Sequence, residues 1–99
     1  MSAKIGERVG AILSGNDTEV RFFGYGIRIE DEIPNGAGGL GELLVETQTT
    51  NPTILLDSGE KVYGCECWWG TETGIKNMIG DRKIIMVTLS ESRKKEENL

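Results

Sequence analysis

Two cysteines, a glutamate and two tryptophans stand in consecutive positions, Cys65-Glu66-Cys67-Trp68-Trp69. A C-x-C pair can supply thiolates to a metal or serve as a nucleophile. Here it provides two ligands in a chain without histidine, whereas tetrahedral zinc takes four, so a zinc would have to be shared across an oligomer. Cysteines two apart on one strand face are badly placed to bond to each other. No activating cation is predictable beside either thiol. The pair reads as two core thiols, with no metal and no cofactor. The missing histidine also removes the commonest general base and every Ser–His or Cys–His nucleophile pair. A carboxylate pair, Glu32 with Asp57 or Glu66, is the remaining hydrolytic arrangement, but Glu30-Asp31-Glu32 and the acids near the C-terminus read as solvated surface. The expectation is a protein that is not an enzyme and has no catalytic residue.

That leaves binding. On a straight strand Tyr63, Cys65, Cys67 and Trp69 share one face, and Val62, Gly64, Glu66 and Trp68 the other. The first face is assigned to the core. On the second, Trp68 could stack on a planar ligand and Glu66 could accept hydrogen bonds from it, with Gly64 leaving room above the sheet. Arg21 and Arg28 are forks suited to phosphate, and Tyr25 lies in the same strand. These six residues form the candidate ligand site. The alternative is structural: Trp68 packs under a loop, Glu66 is solvated or pairs with an arginine, and the arginines pair with surface carboxylates.

The elements that must position them follow from the turn signals. Arg8–Ser14 is a first strand, with Val9, Ala11 and Leu13 on one face, and Gly15-Asn16-Asp17 turns into Thr18–Ile29. In that second strand Phe23, Tyr25, Ile27 and Ile29 share a face. Gly24 and Gly26 mark a bend, or a place where another backbone or a ligand comes close. The chain leaves the sheet at Glu30-Asp31-Glu32. Residues 35–41, rich in glycine, form a loop that is either ordinary or a lid. Residues 40–47 permit a helix or a strand; a helical turn capping one end of the sheet is preferred. Pro52 opens the strand Thr53–Leu56, Asp57-Ser58-Gly59 turns, and Lys61–Trp69 completes a hairpin. Thr71 caps a short helix with an Ile75, Met78, Ile79 stripe and Gly80 after its end. Lys83–Leu89 is the last strand. The fold class expected is mostly β: a small, strongly bent antiparallel barrel, SH3-like or OB-like, of about five strands with one or two short helices. An open sheet with a helix on one face is the competitor.

Ninety-nine residues suit one small domain, taken as 1–90, with 91–99 a charged tail in solvent. Fourteen glycines favour tight β turns. A net charge of −5 argues against nucleic acid as a partner. No apolar run is long enough to span a membrane, and the N-terminus lacks the apolar stretch of a signal peptide, so the expected location is the cytoplasm.

The segments GYGIRIEDEIP and NPTILLDSGEKVYGCECWWG resemble small phage- or prophage-type proteins that carry a G-Y-G strand, an acidic-Pro corner and an N-P-x-I-x-L-D-x-G-x-x-V-x-G-C-E-C-W-W-G block. The resemblance covers about the middle half of the chain. It implies action by binding, and counter-defence in the cytoplasm of a host cell is one such role. The functional expectation is therefore a homo-oligomeric binder that sequesters a nucleotide-like signal, with the 35–41 loop closing the pocket. Its rival is an interaction module that blocks a host protein through an acidic and aromatic surface.

Overall fold

The structure is a computed structural model describing residues 3–37 and 39–97. Six strands are interleaved with helices: β1 (Arg8–Gly15), β2 (Glu19–Glu32), α1 (Leu40–Glu46), β3 (Asn51–Leu56), β4 (Lys61–Tyr63), β5 (Trp68–Thr71), α2 (Glu72–Ile79), β6 (Lys83–Met86) and α3 (Leu89–Glu97). The strands lie in the order β4-β3-β2-β1-β5, every neighbouring pair antiparallel, and β6 adds to β2 in parallel. The fold is β-dominated and bent, as the turn spacing predicts. The sheet does not close into a barrel, however. The two ends of the five-strand path, β4 and β5, are consecutive in the chain and are joined by a 3₁₀ turn, Gly64–Glu66, while β6 forms a further edge.

That turn corrects the expectation of one strand over 61–69. Side chains capture the backbone donors a ladder would have used. The Glu66 carboxylate folds back to accept from the Tyr63 N–H at 3.1 Å, and Asn51 Oδ1 accepts from the Cys65 N–H at 2.7 Å. Within β4 alternation holds but both faces are covered: Val62, expected on the open face, is fully buried opposite Ile54, and Tyr63 is buried on the other face opposite Thr53.

β2 carries the bend. Its start pairs with β6 and its end with β3, while β1 runs along its other edge. At the change of partner Phe23 has no opposite number in β1 and Gly24 sits at φ 125°, a bulge that glycine accommodates readily. The extra residue reverses the faces. Tyr25 does not follow Phe23 as alternation predicts. It lies with Phe22, ring centroids 4.8 Å apart and edge to face. Gly26 meets the second glycine reading: a Cβ there would lie 2.7 Å from the Leu56 Cα, so β3 can approach only because the side chain is absent. β2 also continues through Glu30-Asp31-Glu32, with Glu32 opposite Asn51. The acidic corner is therefore strand, not the exit from the sheet.

Two cores result. Val9, Ala11, Phe23, Ile54, Leu56 and Val62 pack on one face together with Leu89 of α3. On the other, Ile12, Val20 and Phe22 pack against Ile75 and Ile79 of α2. Thr71 caps α2 by accepting from the Gly74 N–H at 3.1 Å, and Gly80 follows it at φ 60°. Met78, expected in the buried stripe, is 45% exposed. Residues 40–46 are helical, and α1 packs on the Gly64–Glu66 turn. The segment expected as a solvated tail begins instead as α3, anchored by the fully buried Leu89; residues 98–99 lie outside the described residues. Among the described residues no helix is long and apolar enough to cross a membrane.

Candidate binding surface around Trp68

Trp68 opens β5 opposite Ile12 of β1. The two indoles separate as alternation predicts. Trp69 is half-buried on the first core, with the Arg28 guanidinium 5.9 Å from its ring centre, whereas Trp68 remains 68% exposed. Trp68 walls two shallow grooves. One, of about 350 Å³, is lined by Leu13, Cys65, Glu66 and Cys67. The other, of about 250 Å³, runs between the sheet and α2 past Ser14, Val20, Met78 and Arg82. Leu13, left without a cross-strand partner by a second irregularity in β1, also borders a third groove of about 350 Å³ with Arg21, Met86 and Glu91.

The structure does not gather the six sequence-selected residues. Glu66 is not open to a ligand: its carboxylate, 10% exposed, accepts from Arg93 Nε and Nη2 at 2.9 Å each, besides the Tyr63 N–H. Gly64 offers no open space, since a Cβ there would come within 3.0 Å of Asn51 Oδ1 and 3.1 Å of the Trp69 indole nitrogen. Arg28 is held against Trp69 and donates to Asp31 at 2.6 Å and to the Ile29 carbonyl at 2.8 Å. Tyr25 faces α2, with Lys76 5.7 Å from its ring centre. Arg21 is exposed and lines two grooves, neither shared with Trp68. The bend in β2 leaves Arg21 and Arg28 beside different partner strands: Arg21 opposite Ile85, Arg28 opposite Ile54.

The remaining chemistry is quiet. Burial pushes the Cys67 thiol up to about 12, and burial also raises that of Cys65. Among the described residues no cluster of three or more cysteine or acidic side chains could hold a metal. Every acid considered for a carboxylate pair is matched to a cation: Glu32 to Lys61, Asp57 to Arg8, Glu66 to Arg93. The Arg8 guanidinium holds the Asp57 carboxyl below its ordinary range. Asp31 and Glu32 of the acidic corner are likewise engaged, leaving Glu30 without an ion pair among the described residues. Of the 35–41 loop, Gly38 lies outside the described residues; Pro34 and Ala37 are buried and pin its start, with the Ala37 N–H donating to the Pro34 carbonyl at 3.2 Å.

Sequence reasoning missed Arg93, Leu13 and Met78. Arg93 lies in a segment that reads as solvent-borne and Met78 in an apolar stripe that reads as packed; Leu13 does lie against the first core with Val9 and Ala11, as expected, but it also borders the grooves. Compared with protein-family models, with curated proteins and with solved structures, the chain matches none.

Proposed function

We propose that this chain is a non-catalytic interaction module that docks a protein partner on Trp68 and the two grooves it separates. The observation that carries this reading is the exposure of Trp68, 68%, beside a neighbour of the same type that is packed away. An indole of roughly 200 Å² with two-thirds of its surface open has about 3 kcal/mol to gain on burial. Tryptophan anchors surrounded by apolar and adaptable side chains characterise the energetic centres of protein interfaces. Leu13 and the flexible, exposed Met78 provide such surroundings. Sequestering a nucleotide is less well supported, because the groups meant to read base and phosphate are held elsewhere in the fold. On the phage-type resemblance, the partner is a host protein.

The test is affinity capture from host extract with the wild-type chain and with Trp68→Ala, whose fold is checked by circular dichroism. A protein bound by the wild type and about hundredfold more weakly by a folded Trp68→Ala supports the reading, the factor corresponding to about 3 kcal/mol. In parallel, nucleotides are screened by thermal shift. A ligand at a hundredfold excess over its Kd adds about 2.7 kcal/mol, so a clear Tm rise with a nucleotide, lost in Trp68→Ala, would replace protein docking by the nucleotide reading.

A further inference from the structure

β6 is a sheet edge of unusual composition for an exposed one. Among the described residues, β2 is the only element it packs against substantially. The N–H groups of Lys83 and Val87 donate to Thr18 and Phe22 of the β2 side at 3.0 Å each. In a parallel strand alternate residues bond the same neighbour, so the backbone groups of Ile84 and Met86 point away from β2. Those two residues are also 46% and 63% exposed. Natural edges are usually blunted by charge, proline or a bulge; along the Ile84–Met86 run none of these is present.

We infer that β6 pairs antiparallel with β6 of a second copy of this chain across a two-fold axis at Ile85, making one continuous sheet. The arrangement is self-complementary. With Ile85 opposite its own copy, Ile84 faces Met86 of the other chain, so the outward N–H and C=O groups of both residues find partners in both copies. Ile84 and Met86 lie on the face of Val20 and Phe22, so the four exposed side chains of the pair form one apolar cluster. Charge also agrees. On the opposite face Lys83 comes across from Val87 of the other chain, which lines the same groove as Glu91. Neither Lys83 nor Glu91 has an ion pair among the described residues, and the two-fold places each Lys83 beside the partner chain's Glu91 side.

Sedimentation velocity over a concentration series tests this, with amide hydrogen exchange as the local readout. The expected result is a species of twice the 10.9 kDa chain mass and concentration-dependent protection of the Ile84 and Met86 amides. Met86→Lys is expected to sediment as a monomer with an unchanged circular dichroism spectrum. Lys83→Glu and Glu91→Lys should each weaken the dimer, and combining them should restore it. A chain that stays monomeric at every concentration overturns the inference. So does a dimer that survives Met86→Lys, or one in which Ile84 and Met86 exchange as fast as in the monomer. Should Met86→Lys fail to fold, the charge-swap pair decides alone: no loss in the single variants and no recovery in the double refutes it.

Discussion

Arg93→Ala should be among the most damaging single substitutions of a charged residue in this chain. The Arg93 side chain reaches from α3 to the turn between β4 and β5. There it donates through Nε and Nη2 to Glu66, gives a further bond to the Lys61 carbonyl at 3.1 Å, and lies 5.8 Å from the ring centre of Tyr63. Arg93 is 25% and Glu66 10% exposed. Removing one member of a fully buried pair costs about 3–5 kcal/mol, because the partner charge is left without compensation. Arg93 keeps some contact with water, and Glu66 would retain the Tyr63 N–H, so about 2–3 kcal/mol is expected here. For a domain of this size that is a fall in Tm of roughly 10–20 °C. Urea and thermal unfolding of wild type, Arg93→Ala, Glu66→Gln and the double variant form the cycle. The double should lose about 1.5–2 kcal/mol less than the sum of the singles. A loss below about 0.5 kcal/mol in Arg93→Ala, or strict additivity, would refute the claim that α3 holds the Gly64–Glu66 turn in place.

The Cys67 thiol titrates near 12 in the folded chain against 9.0 for a free thiol. The unfolded state therefore binds fewer protons between those values, and stability should fall as pH rises through that window. Cys67→Ala should flatten the profile by up to about 1.4 kcal/mol per pH unit there, read by urea unfolding at each pH. Gly26→Ala should cost about 2–4 kcal/mol in equilibrium unfolding, since its methyl would overlap the Leu55 carbonyl and sit 2.7 Å from the Leu56 Cα, forcing β2 and β3 apart. Thr71→Ala removes the acceptor for the Gly74 N–H and should lower stability by about 1 kcal/mol, whereas Thr71→Ser should restore most of it.

What could be read beforehand was local. Thr71, the Ile75 and Ile79 spacing and Gly80 specify α2 within a few residues, and the Asp57-Ser58-Gly59 turn places Gly59 at φ 95°. What could not be read depends on partners far along the chain. The Gly64–Glu66 turn is invisible because Tyr63, Cys65, Cys67 and Trp69 mimic a period of two, while the group that breaks the strand, Asn51, lies 14 residues away. Phe23, unpaired opposite β1, moves Tyr25 to the other face, a shift no alternation pattern contains. The start of α3 was legible in principle. Thr88-Leu89-Ser90-Glu91 has capping-box spacing, and the Glu91 N–H does donate to Thr88 Oγ1 at 3.2 Å. The charge density of the segment that follows obscured it, and with it the partner of Glu66. The site was legible only as far as the exposure of Trp68.

The two proposals meet in one row of the sheet. Trp68 pairs with Ile12, Ile12 with Phe22, and Phe22 with Met86, so Trp68 and the β6 edge stand three strands apart in a single line. A two-fold axis normal to the sheet at Ile85 would keep side chains on their own face. The paired chain would then present both Trp68 anchors on the same side, separated by seven inter-strand steps, about 30–35 Å before twist. Two anchors so placed would bind a two-fold symmetric partner far more tightly than one, without any new contact, provided the partner spans that distance. Met86→Lys then becomes the discriminating variant. It should leave the affinity of a single Trp68 for a monovalent partner unchanged and abolish only the gain from pairing. A drop for the monovalent partner as well would mean that Met86 is itself part of the docking surface and that the row acts as one interface.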